Sequence, residues 1–390
     1  MKKIVLIVLL FGLFFCGQKA LSDDRFFTID SRIISGSAVS VNLSEIAESV
    51  SFIKLETHPD APVSRGVRVV AFKDSLIIVN SNSGILVFDS ETGKYLYKIK
   101  GFNDSGSFGY HADHPAVGFN DDIVMEEVPI WGGNGIQKEG KNHGIWNYKT
   151  GEMLNKKLSF SPIKYQKLLF LNDSLLVGCV IDSRKLNGSS SMVDLLSASD
   201  GRVVREYGLK ERIDIHDEKG MGFTTTNRFI IYDFENYITV CSMGHDTVFG
   251  INRATLNLEP RFVVKLGSRE GLNNSFQYSN YMSIGAICES SRYLFFNYGT
   301  LGTPSRFFYI YYDKKEDKAF YLGESVSNIF ENDLTHDMNF FPRNITSGDK
   351  AYQVFRAAEV LRLLGPERAA EIGITDMEDN PIIMVVQLKK

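Results

Sequence analysis

Six times along the chain, a short polar turn is followed by an apolar run that favours β-structure. In the first copy, Asp74-Ser75 precedes the run Leu-Ile-Ile-Val at residues 76–79. The six turns begin at Asp74, Asp121, Asp173, Asn227, Ser291 and Asp349. Successive copies are separated by roughly 47 to 64 residues, which is typical of a propeller blade built from four short strands. The repeat therefore predicts an all-β fold, a six-bladed β-propeller.

A hairpin signature recurs at a similar interval. Residues 88–94, Phe-Asp-Ser-Glu-Thr-Gly-Lys, match residues 146–152 and 196–202, and looser copies lie at residues 250–255 and 312–317. The first turn residue can cap the turn with its side chain, and the glycine can adopt a positive φ. Two independent landmarks thus indicate the same repeat.

The ends of the chain predict how the ring closes. Residues 50–55 have the pattern of a strand that belongs to no blade. The last unit lacks the hairpin, and residues 356–364 and 367–372 have a helical pattern interrupted by Gly365-Pro366. Because an open sheet edge promotes aggregation, we expect the N-terminal strand to pair into the C-terminal blade, which carries a short helical insertion.

The first sixteen residues resemble a targeting segment. Lys2-Lys3 precedes an apolar run at residues 4–15, which is typical of a secretory signal and too short to span a bilayer as a helix. The run ends at Cys16, which predicts a lipoprotein with its lipid on Cys16, although Phe15 stands where such signals usually have a small residue. A plain cleaved signal and a retained membrane anchor are the alternatives.

These patterns predict the domain organisation and the location of the protein. Residues 1–15 are expected to be a lipoprotein-type signal peptide, residues 16–40 a tether and residues 41–390 the propeller. The globular domain is then expected outside the cytoplasm, in a bacterial cell envelope. There it would be anchored to a membrane by the lipid, with the outer membrane favoured over the inner one.

Composition argues against several partners and cofactors. The net charge is −4 and no basic stripe is present, so we expect no nucleic acid partner. The four cysteines form no Cys-x-x-Cys pair, and Cys179 and Cys241 lie in apolar runs, which favours buried free thiols over disulfides or metal ligands. No cofactor is predicted.

The densest group of metal-ligand side chains is His111, Asp113 and His114. Two imidazoles and a carboxylate suit a divalent transition metal. The other histidines show no matching periodic placement, however, so a solvated loop is the preferred interpretation and these three residues stay weak candidates for a metal site.

Paired carboxylates at Asp121-Asp122 and Glu126-Glu127 could suggest acid–base chemistry. The first pair occupies the repeated turn, and neighbours on a strand, such as Glu126 and Glu127, point to opposite faces. No catalytic residue is therefore predicted.

Three long connections rich in Gly, Asn and aromatic residues are the expected ligand-binding segments, because loops carry function on a rigid scaffold. They are residues 101–115, 129–143 and 267–281. The individual candidates are Trp131, His111 and Tyr278.

The two ends of the propeller region resemble a known family. Residues 52–57 (Phe-Ile-Lys-Leu-Glu-Thr), residues 85–89 and residues 379–386 resemble the six-bladed β-propeller lipoproteins of Bacteroidetes-type bacteria, relatives of NHL-repeat and TolB-like propellers. The resemblance covers about residues 41–390. Residues 101–110 lack the Gly-Pro-Gly element that the family often carries after its first blade.

The resemblance implies an envelope-anchored binding or scaffold protein and no particular activity. We therefore expect a non-catalytic, lipid-anchored propeller that binds a protein or a glycan. The alternative hypothesis is a metal-dependent lyase or hydrolase of the NHL-like type, with its site on the central axis.

Overall fold

The computed structural model describes fifteen segments of the chain: residues 27–63, 67–81, 84–99, 116–118, 121–126, 143–158, 165–180, 193–209, 229–242, 246–265, 282–300, 306–324, 329–342, 344–346 and 348–390. Within these segments the strands form five four-stranded sheets, one five-stranded sheet and one two-stranded pair. We number the six larger sheets 1 to 6 in chain order. The prediction of an all-β fold is confirmed.

The N-terminal segment contributes strands to three different sheets. Its elements are β1 (Phe27–Asp30), a 3₁₀ helix (Ser31–Ser35), β2 (Val41–Asn42), α1 (Leu43–Ile46) and β3 (Ala47–Lys54).

Sheets 1 to 3 are each made of four strands that follow one another along the chain and pair antiparallel. Sheet 1 contains β4 (Arg68–Lys73), β5 (Leu76–Ser81), β6 (Gly84–Asp89) and β7 (Tyr95–Lys98). Sheet 2 contains β8 (Ala116–Val117), β9 (Asp122–Glu126), β10 (His143–Asn147) and β11 (Met153–Leu158). Sheet 3 contains β12 (Tyr165–Asn172), β13 (Leu175–Val180), β14 (Val193–Ser197) and β15 (Val203–Tyr207).

Sheets 4 and 5 repeat this arrangement, and sheet 6 is completed from the other end of the chain. Sheet 4 contains β16 (Phe229–Phe234), β17 (Tyr237–Ser242), β18 (Thr247–Asn252) and β19 (Leu258–Lys265), and sheet 5 contains β20 (Met282–Glu289), β21 (Tyr293–Thr300), β22 (Phe307–Asp313) and β23 (Lys318–Gly323). The short strand β24 (Phe330–Glu331) follows sheet 5. Sheet 6 contains β25 (Asn344–Thr346), β26 (Lys350–Phe355) and β27 (Ile382–Leu388), with helix α2 (Ala357–Glu371) between β26 and β27.

Hydrophobic clusters fill the space between each pair of successive sheets. Ile78 of sheet 1 packs in one cluster with Trp146 of sheet 2, and the same pattern continues from sheet to sheet. A sixth cluster joins Ile383 of sheet 6 to Ile77 of sheet 1. The sheets therefore enclose an axis, as the blades of a β-propeller do.

The first strand of each sheet is the innermost one. Strands β4, β8, β12, β16, β20 and β25 contact one another in this order around the axis. These strands are therefore the ones that lie nearest the axis.

The predicted closure of the ring is observed. Strand β3 pairs antiparallel with β27, with Ile53 opposite Ile383 and Val50 opposite Val386. The edge that sheet 6 would otherwise expose is thus covered by a strand from the other end of the chain.

The helical insertion of the last sheet also matches the sequence. Helix α2 contains a break at Gly365, whose φ is 78°, and Pro366 follows this residue. Glycine adopts this left-handed conformation without a steric penalty, and proline suits the first turn of the second helical piece.

The N-terminal segment departs from the sequence prediction. Residues 16–40 were expected to be a tether, but β1 pairs in parallel with β19 as the fifth strand of sheet 4. Ile29 is buried between sheets 4 and 5, and the ring of Phe27 stacks on those of Phe262 and Tyr312, at centroid distances of 4.9 and 4.8 Å. Alternating apolar side chains thus hold residues 27–30 on the propeller.

The cysteines within the described segments are free and buried, as predicted. Burial raises the pKa of Cys179 and of Cys241 to about 12. Neither thiol therefore supplies an appreciable amount of reactive thiolate at neutral pH. Cys16 lies outside the described residues.

Candidate functional site

The two ends of the sheets differ in their connections. In every sheet the first and second strands are joined at one end, which we call the turn end. The second and third strands are joined at the opposite end, which we call the loop end, and the first strand begins there. Connections between successive sheets also enter the first strand at the loop end.

Tight turns build the turn end, and their polar groups are used within them. The Oδ1 atom of Asp89 accepts hydrogen bonds from the amides of Glu91 and Thr92, at 3.1 and 2.7 Å. Asn147, Asn252 and Asp313 cap the equivalent turns of sheets 2, 4 and 5 in the same way. The hairpin chemistry predicted from the sequence is therefore present.

Ion pairs and hydrogen bonds link neighbouring sheets at the turn end. Lys149 of sheet 2 contacts Asp121 at 3.1 Å and Asp74 of sheet 1 at 3.3 Å, and the hydroxyl of Tyr148 donates to Asp121 at 2.8 Å. Asp121 is thus a structural carboxylate, in agreement with the prediction that the turn explains it. Of the second carboxylate pair, Glu126 ends β9 and Glu127 lies outside the described residues.

A buried charge cluster joins sheets 4 and 5. The carboxylate of Glu289, whose side chain is 0% exposed, lies 2.7 and 2.9 Å from the guanidinium of Arg261 and 2.7 Å from the ammonium of Lys314. Tyr232 donates a further hydrogen bond to it at 2.8 Å. Burial alone would raise the pKa of Glu289, but the attraction of Lys314 and Arg261 outweighs this effect and the pKa lies below its usual range.

The aromatic environment of Arg261 completes this cluster. Its guanidinium lies 4.9 Å from the ring centroid of Phe234 and 5.2 Å from that of Tyr237. Rings at this distance stabilise a cation whose water has been removed. The cluster is therefore a buried, paired connection between two sheets.

The two segments that carried the sequence resemblance meet where the ring closes. The hydroxyl of Thr57 donates to Asp379 at 3.0 Å and accepts from the amide of Asn380 at 3.1 Å. Burial would raise the pKa of Asp379, but hydrogen bonds from the amides of Thr375 and Asp376 hold it well below its usual range. These motifs thus serve the closure of the fold.

Asn380 is the central residue of this closure. Its Nδ2 atom donates to the carbonyls of Glu56 and Ala61, at 2.6 and 3.1 Å, and its Oδ1 atom accepts from the amide of Val63 at 2.9 Å. Only 2% of the residue is exposed. Its side chain therefore holds the connection between sheet 6 and sheet 1.

Replacement of Asn380 by leucine is expected to lower the free energy of unfolding by about 2–3 kcal/mol, because buried backbone groups would lose their partners. Urea unfolding measures this change. The matched control is Asn257→Leu at an exposed asparagine, where we expect a change within about 0.5 kcal/mol. Equal effects of the two variants would contradict the assigned role.

The described strands next to the long connections adjoin them at the loop end. Strand β7 ends at Lys98 before β8 begins at Ala116, β9 ends at Glu126 before β10, and β19 ends before β20 begins at Met282. The described strands that flank the three predicted ligand-binding segments therefore end and begin at the loop end. His111, Asp113, His114, Trp131 and Tyr278 lie outside the described residues, so their roles stay predictions.

Within the described segments, no group of three or more His, Cys, Asp or Glu side chains is placed to hold a metal ion. In the same segments, no helix is both long and apolar enough to cross a bilayer.

Two cations on the innermost strands were not singled out by the sequence. Arg68 is the first residue of β4 and is exposed, and Lys167 is the third residue of β12 and is half-buried. Both lie near the loop end of their strands. No sequence signal marks them, because each is an isolated charge in an ordinary strand.

Two family models match the chain. A family model with the description "Domain of unknown function (DUF4934)" matches residues 137–387. A second model, described as a 6-bladed beta-propeller (DUF5128), matches residues 26–104. By its fold the chain is a β-propeller protein. The longer match covers more than half of the chain and shows that it belongs to the DUF4934 family.

A solved structure supports the propeller fold. A presumed exported protein from Bacteroides fragilis matches 94% of this chain and 100% of its own length, with 18% identity and a TM-score of 0.65. A member of the DUF4221 family from Bacteroides vulgatus matches 88% of this chain and 97% of its own, with 13% identity and a TM-score of 0.46. No curated protein matches the chain.

Proposed function

We propose that the protein is a six-bladed propeller, one blade for each of sheets 1 to 6, that acts as a non-catalytic binding or scaffold module outside the cytoplasm. Its ligand, a protein or a glycan, binds at the loop end. The domain is held at a membrane, the outer membrane favoured, by a lipid on Cys16 after removal of residues 1–15. The fold relation extends to NHL-repeat and TolB-like propellers.

The observation that carries this proposal is the difference between the two ends. At the turn end the connections are short, such as residues 74–75 and 235–236. Their side chains cap turns or link sheets, as Asp89 and Lys149 do. At the loop end several connections are long, including the one that contains helix α2, and others are short, such as residues 82–83 between β5 and β6. A scaffold commits its short turns to stability and presents its variable connections to ligands.

The cellular location has separate support. The Bacteroides fragilis protein with the same fold is described as presumably exported. The charged start, apolar run and cysteine of residues 2–16 suit export followed by lipidation. Both observations agree with a binding domain that works in the cell envelope.

Photo-crosslinking in cells tests the proposed face. A benzophenone side chain is introduced at Asn344, which is exposed at the start of β25, or at Thr150, which is exposed in a turn of sheet 2. We expect adducts with a protein or a glycan from position 344 and none from position 150. Adducts from position 150 alone would show that the turn end is the binding face.

A further inference from the structure

A buried amide without a hydrogen-bond partner lies in sheet 5, towards the loop end. Asn297 belongs to the second strand of this sheet, β21, and only 8% of the residue is exposed. Among the residues that the structure describes, its Oδ1 atom is the one buried side-chain oxygen or nitrogen that has no hydrogen-bond partner. A buried acceptor without a donor lowers stability, so its presence calls for a role outside the packing of the sheet.

The oxygen of Asn297 lies against an exposed glycine of the innermost strand. Gly285 belongs to β20, where the pairing with β21 is irregular between Ile284 and Ala286. Gly285 is exposed, and a Cβ atom at this position would lie only 2.4 Å from the Oδ1 atom of Asn297. Because the glycine carries no side chain, the amide oxygen comes close to an exposed stretch of backbone.

An exposed aromatic ring lies on the same face of sheet 5. Phe307 begins β22, at the loop end, and is 48% exposed. It pairs with Gly299 of β21, and a Cβ atom on this glycine would lie 2.9 Å from the ring of Phe307. The ring therefore lies across the backbone of Gly299, a cross-strand pairing that supports an aromatic side chain on a sheet.

The register of the strands places the ring and the amide side by side. Asn297 stands opposite Tyr309 and Gly299 stands opposite Phe307, so Asn297 and Phe307 are diagonal neighbours on one face. Such neighbours are roughly 7–8 Å apart, within reach of an aromatic side chain. Phe341 covers the same face at Tyr309, with 5.0 Å between the ring centroids, and the exposed part of the face begins at Phe307.

We propose that this part of sheet 5 is a sugar subsite, in which Phe307 stacks on the ring of the sugar and Asn297 accepts a hydrogen bond from one of its hydroxyls. The C–H groups of a sugar ring carry partial positive charge and are attracted to the negative face of an aromatic ring. The hydroxyl approaches over Gly285 and supplies the donor that the amide oxygen can accept. The inference rests on the proposed binding at the loop end and selects a glycan, rather than a protein, as the ligand.

The position of the two groups within the sheet favours a sugar over a peptide. A peptide that binds as an added strand needs a free sheet edge, but β21 and β22 are the two inner strands of sheet 5. A helix needs a row of apolar anchors. Among the strand residues of sheets 5 and 6 whose exposure the structure describes, Phe307 is the one large exposed apolar side chain. One ring beside one amide suits a compact unit such as a sugar.

Saturation-transfer NMR of the purified protein tests the subsite. The probes are methyl β-D-glucopyranoside, methyl β-D-galactopyranoside and methyl α-D-mannopyranoside, with trialanine as the peptide comparison. We expect transfer to at least one sugar, strongest at the ring C–H protons, and none to trialanine. Transfer to trialanine that depends on Phe307 would show a peptide site instead, and no transfer to any sugar would overturn the subsite.

Replacement of Phe307 by alanine assigns the sugar to the aromatic ring. We expect sugar binding to weaken about tenfold or more, because the stacking surface is removed. The matched control is Leu96→Ala at an apolar residue of β7 that is 45% exposed, and it should leave sugar binding unchanged. An equal loss in the two variants would contradict the subsite. Because Phe307 is half-exposed, its replacement preserves the fold and keeps the test decisive even if a variant of Asn297 fails to fold.

Replacement of Asn297 by valine separates a binding role from a structural one. Valine suits a strand and removes the unpartnered amide, so we expect sugar binding about tenfold weaker and a Tm equal to or above that of the parent. Asn380→Leu provides the contrast, since the amide of Asn380 binds three backbone groups and its loss should lower the Tm. A lowered Tm of Asn297→Val with sugar binding intact would show that this amide serves the fold.

The outcomes for the sugar subsite and for the proposed function can be told apart. Adducts from position 344 without binding of any sugar would refute the subsite and still support ligand binding at the loop end. Sugar binding that depends on Phe307, together with adducts from position 150 alone, would refute the proposed face for the macromolecular ligand and leave the sugar subsite in place.

Discussion

Replacement of Glu289 by glutamine is expected to lower the free energy of unfolding by about 3–5 kcal/mol. Glutamine preserves the size of the side chain but removes the negative charge that Arg261 and Lys314 share. Two cations would then be held together beneath the surface without their counter-ion. Urea unfolding at neutral pH measures the loss.

The control for this prediction is Glu324→Gln. Glu324 forms a bidentate pair with Arg306, but both side chains are largely exposed, at 41% and 56%. Exposed pairs contribute about 0–1 kcal/mol because water screens them. A similar loss in the two variants would show that burial does not decide the strength of the Glu289 cluster.

The same substitution predicts a pH dependence. The pKa of Glu289 in the folded protein lies below its usual range. The ionised carboxylate therefore contributes its full stabilisation above the pKa of a glutamate in the unfolded chain, about 4.3. The contribution is lost as the pH falls through the folded pKa. We expect a constant difference between parent and Glu289→Gln from neutral pH down to about pH 5, and a shrinking difference in stronger acid.

Replacement of Gly93 by alanine is expected to cost about 3–5 kcal/mol, from the combined strain of a left-handed alanine and a steric overlap. Gly93 has a φ of 70° in the turn between β6 and β7, and a Cβ atom there would overlap the carbonyl oxygen of Lys54. Lys54 ends β3, so the change would push apart sheets 6 and 1. Thermal and urea unfolding measure the effect.

Gly151 supplies the matched comparison. It occupies the equivalent turn of sheet 2 with a φ of 71°, but the atom nearest to an added Cβ is 3.4 Å away, in the ring of Tyr97. Gly151→Ala should therefore cost only the backbone strain, about 1–2 kcal/mol. If the two variants are equally destabilised, the contact between Gly93 and Lys54 has no energetic importance.

The contacts that close the ring explain the role of the terminal sequence motifs. Thr57 and Asp379 come from opposite ends of the chain and hydrogen-bond directly, and Asn380 binds three backbone groups of the connection that follows β3. A sequence resemblance concentrated in these residues reports how the ring is closed. The same resemblance says little about the ligand. For this reason the sequence predicted the fold in more detail than the function.

Part of the candidate site could be anticipated from the sequence. The long connections were identified by their composition, and the structure shows that the described strands on either side of them meet at one end of the sheets. The order of strands within an antiparallel sheet dictates this, so it follows once the repeat is known. The positions of Arg68 and Lys167 near the loop end of innermost strands could not be anticipated, because each is an isolated charge in an ordinary strand.

The sequence by itself determined the strands, the capped turns and the pairing of residues 50–55 into the last sheet. These features are local or follow from the need to close an edge, as the Asp89 cap and the φ of Gly93 illustrate. Only the tertiary structure decided that β1 joins sheet 4 and that Glu289 meets Arg261 and Lys314. Those contacts depend on how twisted sheets pack around the axis, which no short stretch of sequence encodes.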